Sequence, residues 1–346
     1  MENREQGGVL VLIPAYKPDG RLVTLTEKLI GAKFPVLLVD DGGGETYAWI
    51  FEKCRAIGAL VETHAVNMGK GRALKTGINR ALLSFPDVTA IVTADADGQH
   101  SVPDILRVAQ ASLEHPDALV LGARAFTGNV PFKSRWGNRI TRGVYRLASG
   151  ISVGDTQTGL RGLPARALPE MARIDGERYE YEMNVLMRLR DMGLSVFEVP
   201  IETIYLDEQN SDSHFNPVRD ALRIYRVIFR YLFSAIASFV IDFALYWLLL
   251  YKFRMASWLS YALARLVSSQ VNYRLNRYTV FSGRGGKNAM AKYYALAAVQ
   301  GALGAGLVQF LPRVLPVSAG FVKIPVDIVL FLASFIIQRD FVFRDR

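Results

Sequence analysis

Apolar residues between Val9 and about Ile204 fall into short runs that alternate with amphipathic stretches of helical length. The runs at 9–14, 35–41, 59–64, 89–95 and 118–123 predict buried strands, and the stretches at 20–31, 45–57, 70–84 and 102–114 predict helices. Strands that alternate with helices favour an α/β domain with a mostly parallel sheet and helices on both faces. Such sheets bind their ligands at the carboxyl ends of the strands.

Beyond residue 230 the apolar runs become long enough to cross a bilayer. Four transmembrane helices are predicted, at about 231–251, 256–273, 293–312 and 319–338. The predicted organisation is therefore an α/β domain at 1–214, a basic amphipathic helix at 215–230, and an all-α four-helix transmembrane domain at 231–346. Lys and Arg concentrate in the loop at 274–292 and in the C-terminal tail, which places both termini in the cytosol.

The net charge of +9 is unevenly distributed along the chain. Residues 215–346 hold 17 Lys/Arg and 5 Asp/Glu, whereas residues 1–214 hold 24 Lys/Arg and 27 Asp/Glu. A basic half suggests a nucleic-acid or membrane partner, and its hydrophobicity favours the membrane. Arginines 219, 223, 226 and 230 recur at helical spacing, as expected of a helix that lies on an anionic bilayer surface.

A short repeat occurs in the C-terminal part. "RYTVF" at 277–281 and "RDFVF" at 339–343 lie 62 residues apart, and each follows the second helix of a predicted hairpin. The repeat indicates either duplication of a two-helix unit, which its position favours, or two separate aromatic anchors at the membrane interface.

The segment "TADADGQH" at 93–100 carries two carboxylates at the end of a predicted strand. In extended backbone Asp95 and Asp97 point the same way, so both can approach one cation. Their mutual repulsion is relieved by such a cation, and oxygen ligands fit Mg²⁺ or Mn²⁺. Gln99 adds a neutral oxygen, and Gly98 permits the turn. The predicted metal ligands are therefore Asp95, Asp97 and Gln99.

Three further motifs precede this one in the chain. "IPAYKP" (13–18) follows the first strand, "VDDG" (39–42) follows the second, and "NMGKGRALKTG" (67–77) opens a helix. Tyr16 can stack on a nucleobase, and Asp40 or Asp41 can accept hydrogen bonds from a base or a ribose. The third motif lacks the G-x-x-x-x-G-K-[ST] spacing, which excludes a P-loop.

Taken in this order, the motifs over about 8–215 resemble the family-2 glycosyltransferases of GT-A fold, and within them the polyprenyl- or dolichyl-phosphate sugar synthases. Residues 225–346 resemble the GtrA-like four-helix membrane family. The resemblance implies that the nucleotide sugar contacts Pro14, Tyr16, Asp40, Asp41, Lys70, Asp95, Ala96, Asp97 and Gln99.

The same resemblance implies a site for the acceptor phosphate. Its candidate residues are Arg124, Arg135, Asp155, Gln157 and Arg161. Arginine suits this role because its planar fork bonds two phosphate oxygens at once. The chain departs from the family pattern at Lys17, at Gly43 and near Glu208, where some relatives carry a basic residue for the diphosphate. His214 is a candidate for that missing donor, or a structural histidine.

The function expected is transfer of a hexose from a nucleotide sugar, of UDP-glucose or GDP-mannose type, to the phosphate of a polyprenyl phosphate. Asp95, Asp97, Arg124 and Arg135 are the expected catalytic residues, and inversion at the sugar is implied by the resemblance. A plasma-membrane location with the catalytic domain in the cytosol follows. The bilayer is an expected partner, a homo-oligomer through the transmembrane helices is possible, and nucleic acid is not expected.

Two other functions compete with this one. In the first, the membrane part moves a lipid-linked sugar across the bilayer, a role indicated by the ionisable residues of its predicted helices, Asp242, Arg265, Lys323 and Asp327. These groups can also pair with one another, Lys323 with Asp327 on one helix and Asp242 with Arg265 between helices. A processive polysaccharide synthase is disfavoured because the chain lacks a Q-x-x-R-W signature.

Overall fold

The protein is described from a computed structural model. The model describes residues 8–124, 142–143, 145–147, 149–202, 217–281, 286–314 and 319–343. The chain divides into two compact units, Met1–Ala221 and Leu222–Arg346.

The first unit is built on a seven-stranded sheet. Its strands are Val9–Ala15 (β1), Val36–Asp40 (β2), Leu60–Thr63 (β3), Ala90–Thr93 (β4), Ala118–Arg124 (β5), Arg161–Pro164 (β6) and Ser195–Ile201 (β7). They lie in the order β3-β2-β1-β4-β6-β5-β7. All neighbours are parallel except β6, which runs antiparallel to both β4 and β5. The five predicted strands and the mostly parallel α/β class are confirmed.

Strand β6 was not predicted. It lies inside the sheet, between β4 and β5, and shapes the end of the sheet at which those two strands finish. Thr93, the last residue of β4, pairs with Arg161, the first residue of β6, and Leu121 of β5 pairs with the same residue. Because β6 is antiparallel, the segment that precedes it arrives at the edge where β4 and β5 end. Residues 155–160 therefore lie at the carboxyl edge of the sheet.

The helices of this unit cover the sheet with regular apolar stripes. They are Arg21–Gly31 (α1), Glu45–Ala56 (α2), Lys70–Ser84 (α3), Val102–Glu114 (α4), Leu168–Met171 (α5) and Glu180–Arg188 (α6). The four predicted helices are confirmed to within about a residue. The start of helix α4 is set by an N-cap serine: Ser101 Oγ accepts a hydrogen bond from Asp104 N at 3.2 Å. Pro103 lies in the first turn, where its missing N–H costs no helical hydrogen bond.

Among the described residues from Pro217 onward there are four long helices, where four were predicted. They are Pro217–Trp247 (α7), Ser257–Leu275 (α8), Ala289–Val314 (α9) and Ala319–Ile337 (α10). Helix α7 runs without a break through the basic segment at 217–230, so that segment is not the separate helix that was predicted. Within the described ranges, Phe229–Lys252 is the one stretch long and apolar enough to cross a bilayer.

The two short repeats occupy equivalent places in this unit. Each forms a π-helical turn at the end of a hairpin, Asn276–Val280 after α8 and Gln338–Val342 after α10. The rings of Phe281 and Phe343 stack with centroids 4.9 Å apart, and Asn276 Nδ2 donates to Gln338 Oε1 at 2.9 Å. Both phenylalanines are buried, so they are not interfacial anchors. The structure supports duplication of a two-helix unit.

Contacts that cross between the hairpins repeat with the same 62-residue offset. Tyr231 meets Phe335 at 5.0 Å, and the equivalent pair, Tyr293 with Tyr273, meets at 5.5 Å. Phe281 lies 5.8 Å from Phe335, and Tyr273 lies 5.8 Å from Phe343. When residue i of the first hairpin contacts residue j of the second, residue i+62 of the second hairpin contacts residue j−62 of the first. This reciprocity is that of a pseudo-twofold axis between the two hairpins.

This pseudo-symmetry predicts matched effects on stability. Phe281→Ala and Phe343→Ala are each expected to lower the free energy of unfolding of the second unit by about 3 kcal/mol, because each removes a buried ring from the same stack. Phe341→Ala is the control, since that ring is 68% exposed. Thermal unfolding of the full chain in detergent measures all three. Unequal losses at 281 and 343 would contradict the pseudo-symmetry.

Two of the ionisable groups in the second unit pair with each other. Arg265 Nη1 lies 3.9 Å from Asp242 Oδ2, and Ser268 Oγ donates to Asp242 Oδ1 at 2.7 Å. The second predicted pair, Lys323 with Asp327, lies outside the described side chains. The Asp242 carboxylate is held between helices α7 and α8, as a packing role requires. This contact gives no support to the translocation hypothesis.

Candidate active site

The candidate site lies where the chain order of the sheet reverses. Strand β1 stands between β2 and β4, so the loops that follow β1 and β4 leave the sheet in opposite directions and open a crevice at the carboxyl edge. Tyr16 follows β1, Asp41 follows β2, and Asp95 and Asp97 follow β4. The sheet therefore brings the predicted motifs to one edge.

A turn, not an extended strand, brings the two acids together. Strand β4 ends at Thr93, and the chain turns at 96–98 with Gly98 at a φ of +77°. Gln99 N donates to Asp97 Oδ1 at 2.9 Å and closes this turn. The strand alternation expected from the sequence is therefore wrong in its geometry. Gly98 takes the role expected of it.

Asp95 is paired with a lysine from the start of α3. Lys70 Nζ lies 2.7 Å from Asp95 Oδ1 and 3.1 Å from Glu182 Oε2 of α6. Burial acts to raise the pKa of Asp95, but the positive charges around it, Lys70 foremost, lower that pKa to about 2. Burial acts to lower the pKa of Lys70, but the two carboxylates raise it above its usual range. This part of the site is an ion pair.

His100 supports Asp95 as a neutral ring. Asp95 N donates to His100 Nδ1 at 3.1 Å, so the ring proton lies on Nε2, which is 3.9 Å from Asp95 Oδ2. Burial lowers the pKa of His100, although both aspartates act against this. His100 therefore orients the Asp95 backbone and adds a polar N–H beside its carboxylate.

The oxygen donors of the turn fit a divalent ion. Burial, and after it the negative charge of Asp95, raise the pKa of Asp97, as expected where two carboxylates share one site. A hard cation that keeps several waters and binds substrate phosphates needs only one or two protein carboxylates. Among the described residues, no group of three or more His, Cys, Asp or Glu is placed to hold a metal alone. Asp95 and Asp97 fit a Mg²⁺ or Mn²⁺ ion that also binds a diphosphate. The contact that the structure describes for Gln99, the third predicted ligand, is made by its backbone N–H to Asp97 and not by its side chain.

Arg124, at the end of β5, is fixed beside this pair. Its Nε lies 2.7 Å from Asp155 Oδ2 and its Nη2 lies 3.3 Å from Oδ1. Asp155 is fully buried and also accepts from Gln157 N at 2.9 Å. The charge of Arg124 contributes to the low pKa of Asp95, so both belong to one electrostatic environment. Asp155 and Gln157 thus build a support for Arg124.

Arg161 is occupied inside the protein. Its guanidinium donates to the carbonyls of Thr158 at 2.8 Å, Glu182 at 2.8 Å and Thr156 at 3.3 Å, and the residue is 3% exposed. It ties the segment before β6 to α6, which leaves it no face toward a phosphate. The remaining predicted residues, Arg135 and His214, lie outside the described part of the chain.

Of the residues predicted to contact the nucleoside, Tyr16 is the accessible one. Tyr16 is 49% exposed, and Lys17 Nζ lies 5.2 Å from the centre of its ring. Pro14 is buried within β1, and Asp40 Oδ1 accepts from Gly43 N at 2.9 Å. Lys17 has a φ of +51°, a left-handed conformation that an asparagine adopts more readily.

Asp41 is an internal anchor for the loop before α3. Its carboxylate accepts from Met68 N and Gly69 N at 2.9 and 2.8 Å, from Asn67 Nδ2 at 2.9 Å, and contacts His64 Nδ1 at 2.8 Å. It is 1% exposed. The expected contact with a nucleoside is therefore replaced by a structural role. The loop it holds leads directly to Lys70.

This role makes Asp41 a residue of stability. Asp41→Ala is expected to lower the free energy of unfolding by about 3 kcal/mol, because it leaves several buried donors unpaired. Asp87→Ala is a control for the removal of a carboxylate from an exposed turn. Thermal melts of both variants in detergent test this. A melting temperature of Asp41→Ala equal to that of the wild type would contradict the anchoring role.

Two site residues were missed from the sequence. Glu182 lies on the buried stripe of α6 with Val185 and Leu186, and a charged residue on an apolar stripe was the available signal. Gly159 packs against Asp95: a Cβ on Gly159 would lie 2.2 Å from Asp95 Oδ2. No signal in the sequence marks Gly159, because the contact depends on the antiparallel course of β6.

An α/β sheet with two acids at its reversal point is the framework of an enzyme that binds a nucleotide. Residues 10–169 match the family described as Glycosyl transferase family 2, and residues 230–343 match the family described as GtrA/DPMS, transmembrane domain. The chain belongs to glycosyltransferase family 2 and carries a GtrA-type transmembrane domain after its GT-A catalytic domain. It is a glycosyltransferase.

Three relatives are each similar to more than half of this chain. An uncharacterised protein of Methanocaldococcus jannaschii is 31% identical over 58% of this chain and 82% of its own length. The UDP-N-acetylglucosamine–dolichyl-phosphate N-acetylglucosaminyltransferase of Methanococcus voltae is 27% identical over 58% and 86% of the two chains. The polyprenol monophosphomannose synthase of Mycolicibacterium smegmatis is 26% identical over 56% and 76%.

Solved structures give weaker likenesses. The mannosyltransferase PcManGT from Pyrobaculum calidifontis, in complex with GDP-Man and Mn²⁺, is 14% identical, covers 98% of this chain and 89% of its own, and has a TM-score of 0.42. The glucosyl-3-phosphoglycerate synthase of M. tuberculosis is 14% identical over 68% and 84% of the two chains, also with a TM-score of 0.42. Neither likeness bears on the ligands of this chain.

Proposed function

We propose that the protein transfers a hexose from a nucleoside diphosphate sugar to the phosphate of a polyprenyl phosphate, forming a polyprenyl-phosphate sugar. The observation that carries this proposal is the placement of two acids, Asp95 and Asp97, after β4 and of Arg124, held by Asp155, at the end of β5, at the same carboxyl end of the sheet. The acids suit a metal-bound diphosphate, and the arginine suits a phosphate nucleophile. Relatives whose names specify dolichyl phosphate and polyprenol support the acceptor.

The chemistry requires little more than position and charge. A phosphate oxygen of the acceptor forms a bond to the anomeric carbon while the bond from that carbon to the diphosphate oxygen breaks, and the electron pair leaves with the diphosphate. A phosphate monoester is already largely dianionic at pH 7, so no strong general base is needed. A bound Mg²⁺ or Mn²⁺ would neutralise the charge that develops on the diphosphate.

The residues of this chain divide the remaining tasks. Asp95 and Asp97 would hold the divalent ion, and Tyr16 would stack on the base. Arg124, clamped by Asp155, would hold the acceptor phosphate in line with the anomeric carbon, with Arg135 assisting. Direct displacement inverts the configuration at that carbon. The second unit would keep the enzyme at the bilayer where the acceptor resides, with the first unit and both termini in the cytosol.

The test is a panel of donors offered to the full chain in detergent. UDP-glucose, UDP-N-acetylglucosamine and GDP-mannose, each labelled in the sugar, are incubated with undecaprenyl phosphate and Mn²⁺. One donor is expected to yield a labelled lipid whose sugar mild acid releases, with the free nucleoside diphosphate as the second product. A labelled lipid diphosphate, or no labelled lipid from any of the three donors, would contradict the proposal.

A further inference from the structure

One amine in the site faces two acids and is held by both. Lys70 Nζ lies between Asp95 Oδ1 at 2.7 Å and Glu182 Oε2 at 3.1 Å. The three side chains are 17%, 29% and 11% exposed, so water screens the pair only partly. Lys70 therefore neutralises the same carboxylate that the proposed function assigns to a divalent ion.

The start of α3 cannot move away from this position. A Cβ on Gly69 would lie 2.4 Å from the carbonyl oxygen of Glu177, and one on Gly71 would lie 2.6 Å from Tyr181 Cβ. Arg72 N also donates to the Glu177 carbonyl at 2.9 Å. Close packing thus fixes the backbone of Lys70 against the segment that leads into α6. The amine can swing on its side chain, but it remains tethered beside the site.

The amine and a divalent ion cannot share one oxygen of Asp95. A Mg²⁺ ligand distance is about 2.0–2.1 Å, which would place the ion against the Lys70 ammonium with both charges positive. An ion at Asp95 Oδ1 therefore requires the amine to leave that oxygen, and an ion at Oδ2 still meets the charge of the ammonium across the same carboxylate. Glu182 offers it a place, because Glu182 Oε1 is buried and has no hydrogen-bond partner among the described residues. Arg161 Nε lies 3.8 Å from this oxygen, beyond hydrogen-bond distance.

We propose that Lys70 is a tethered cation that occupies Asp95 until the donor arrives and then moves to the donor's diphosphate, with Glu182 as the positioning residue that holds the amine throughout. The inference rests on the proposed function and deepens it. The binding of the metal and that of the nucleotide are thereby coupled. An ion that binds without nucleotide must displace the Lys70 ammonium from Asp95, and the ammonium then keeps only one carboxylate partner, Glu182. A nucleoside diphosphate supplies the amine with new anionic partners, so the two ligands bind together.

The test measures Mn²⁺ affinity from the electron paramagnetic resonance signal of free Mn²⁺, with the full chain in detergent and without any sugar donor. Lys70→Gln is expected to bind Mn²⁺ alone at least about 10-fold more tightly than the wild type, because the competing charge is gone. Its affinity for UDP or GDP in the presence of Mn²⁺ is expected to fall. Glu182→Gln is expected to weaken the binding of Mn²⁺ alone, since the amine then rests on Asp95 only.

Two variants control for charge and for folding. Lys75→Gln removes a lysine from the same helix, one that pairs with Glu177 at 2.8 Å, and is expected to leave Mn²⁺ affinity unchanged. Lys70→Arg keeps the charge and is expected to resemble the wild type. Mn²⁺ affinity that is the same in Lys70→Gln, Lys70→Arg and wild type would overturn the inference. In that case Asp95→Asn separates the two hypotheses. If Asp95→Asn also leaves the Mn²⁺ affinity unchanged, the metal site of the proposed function is wrong. If Asp95→Asn abolishes Mn²⁺ binding, the metal site stands and only the role of Lys70 is wrong.

Discussion

Asp95→Asn and Asp97→Asn are each expected to lower the rate of sugar transfer at least about 100-fold. Each change removes a negative charge from the turn after β4 and with it a ligand of the divalent ion. In Asp95→Asn the amine of Lys70 also loses its closest partner, 2.7 Å away. The loss should be in the chemical step, because the leaving diphosphate is no longer neutralised. Initial rates of polyprenyl-phosphate sugar formation, measured over a range of Mn²⁺ concentrations, test this.

Asp117→Asn is the matched control. Asp117 immediately precedes β5, at the end of the sheet opposite to the site, and its side chain is 80% exposed. It makes the same chemical change and should leave the rate unchanged. Chelation by EDTA should reduce wild-type activity to the level of the Asp95 and Asp97 variants. A wild-type rate of sugar transfer in either variant with EDTA present would contradict the metal-assisted mechanism.

Gly159→Ala is expected to lower transfer by about 100-fold while the protein stays folded. The added methyl would lie 2.2 Å from Asp95 Oδ2 and 2.7 Å from its Cγ, so the carboxylate must move. A displacement of about 1 Å at a reacting centre is enough for a loss of this size. Michaelis–Menten analysis of the purified variant, together with its Mn²⁺ affinity, measures the effect; both kcat and metal binding should fall.

Gly31→Ala provides the comparison for this change. Gly31 ends α1, and a Cβ there meets nothing within 4 Å, so activity and stability should equal or exceed those of the wild type. A Gly159→Ala variant with a normal melting temperature and a normal rate would show that Asp95 does not need its observed position. The packing between the segment before β6 and the acid pair would then have no role in catalysis.

Periodic patterns in the sequence were sufficient to predict the elements and the edge where the site lies. The five predicted strands and four predicted helices of the first unit are present, because apolar runs and amphipathic stretches report local burial directly. The motifs after β1, β2 and β4 meet at one edge because parallel strands end together. The repeat near residues 277 and 339 also predicted a duplication that the aromatic contacts support.

Side-chain partners that depend on distant segments were not predictable in this way. Asp41 and Arg161 both belong to motifs that suggested ligands, but their partners are loop N–H groups and backbone carbonyls inside the protein. Lys70 was placed at the donor without its link to Glu182, which is 112 positions further along the chain. Periodicity reports which face of an element is buried; it does not report which residue of another element will meet it.

The pseudo-twofold axis of the second unit has a consequence for its ancestry. Reciprocal contacts, in which Tyr231 meets Phe335 and their counterparts Tyr293 and Tyr273 meet in turn, are the geometry of an isologous dimer, in which one patch binds its own copy. A shorter forerunner with a single hairpin could therefore have assembled as a homodimer through the same ring stack. Fusion of two such copies would free the amide at the axis to differ between the halves, as Asn276 and Gln338 do in this chain.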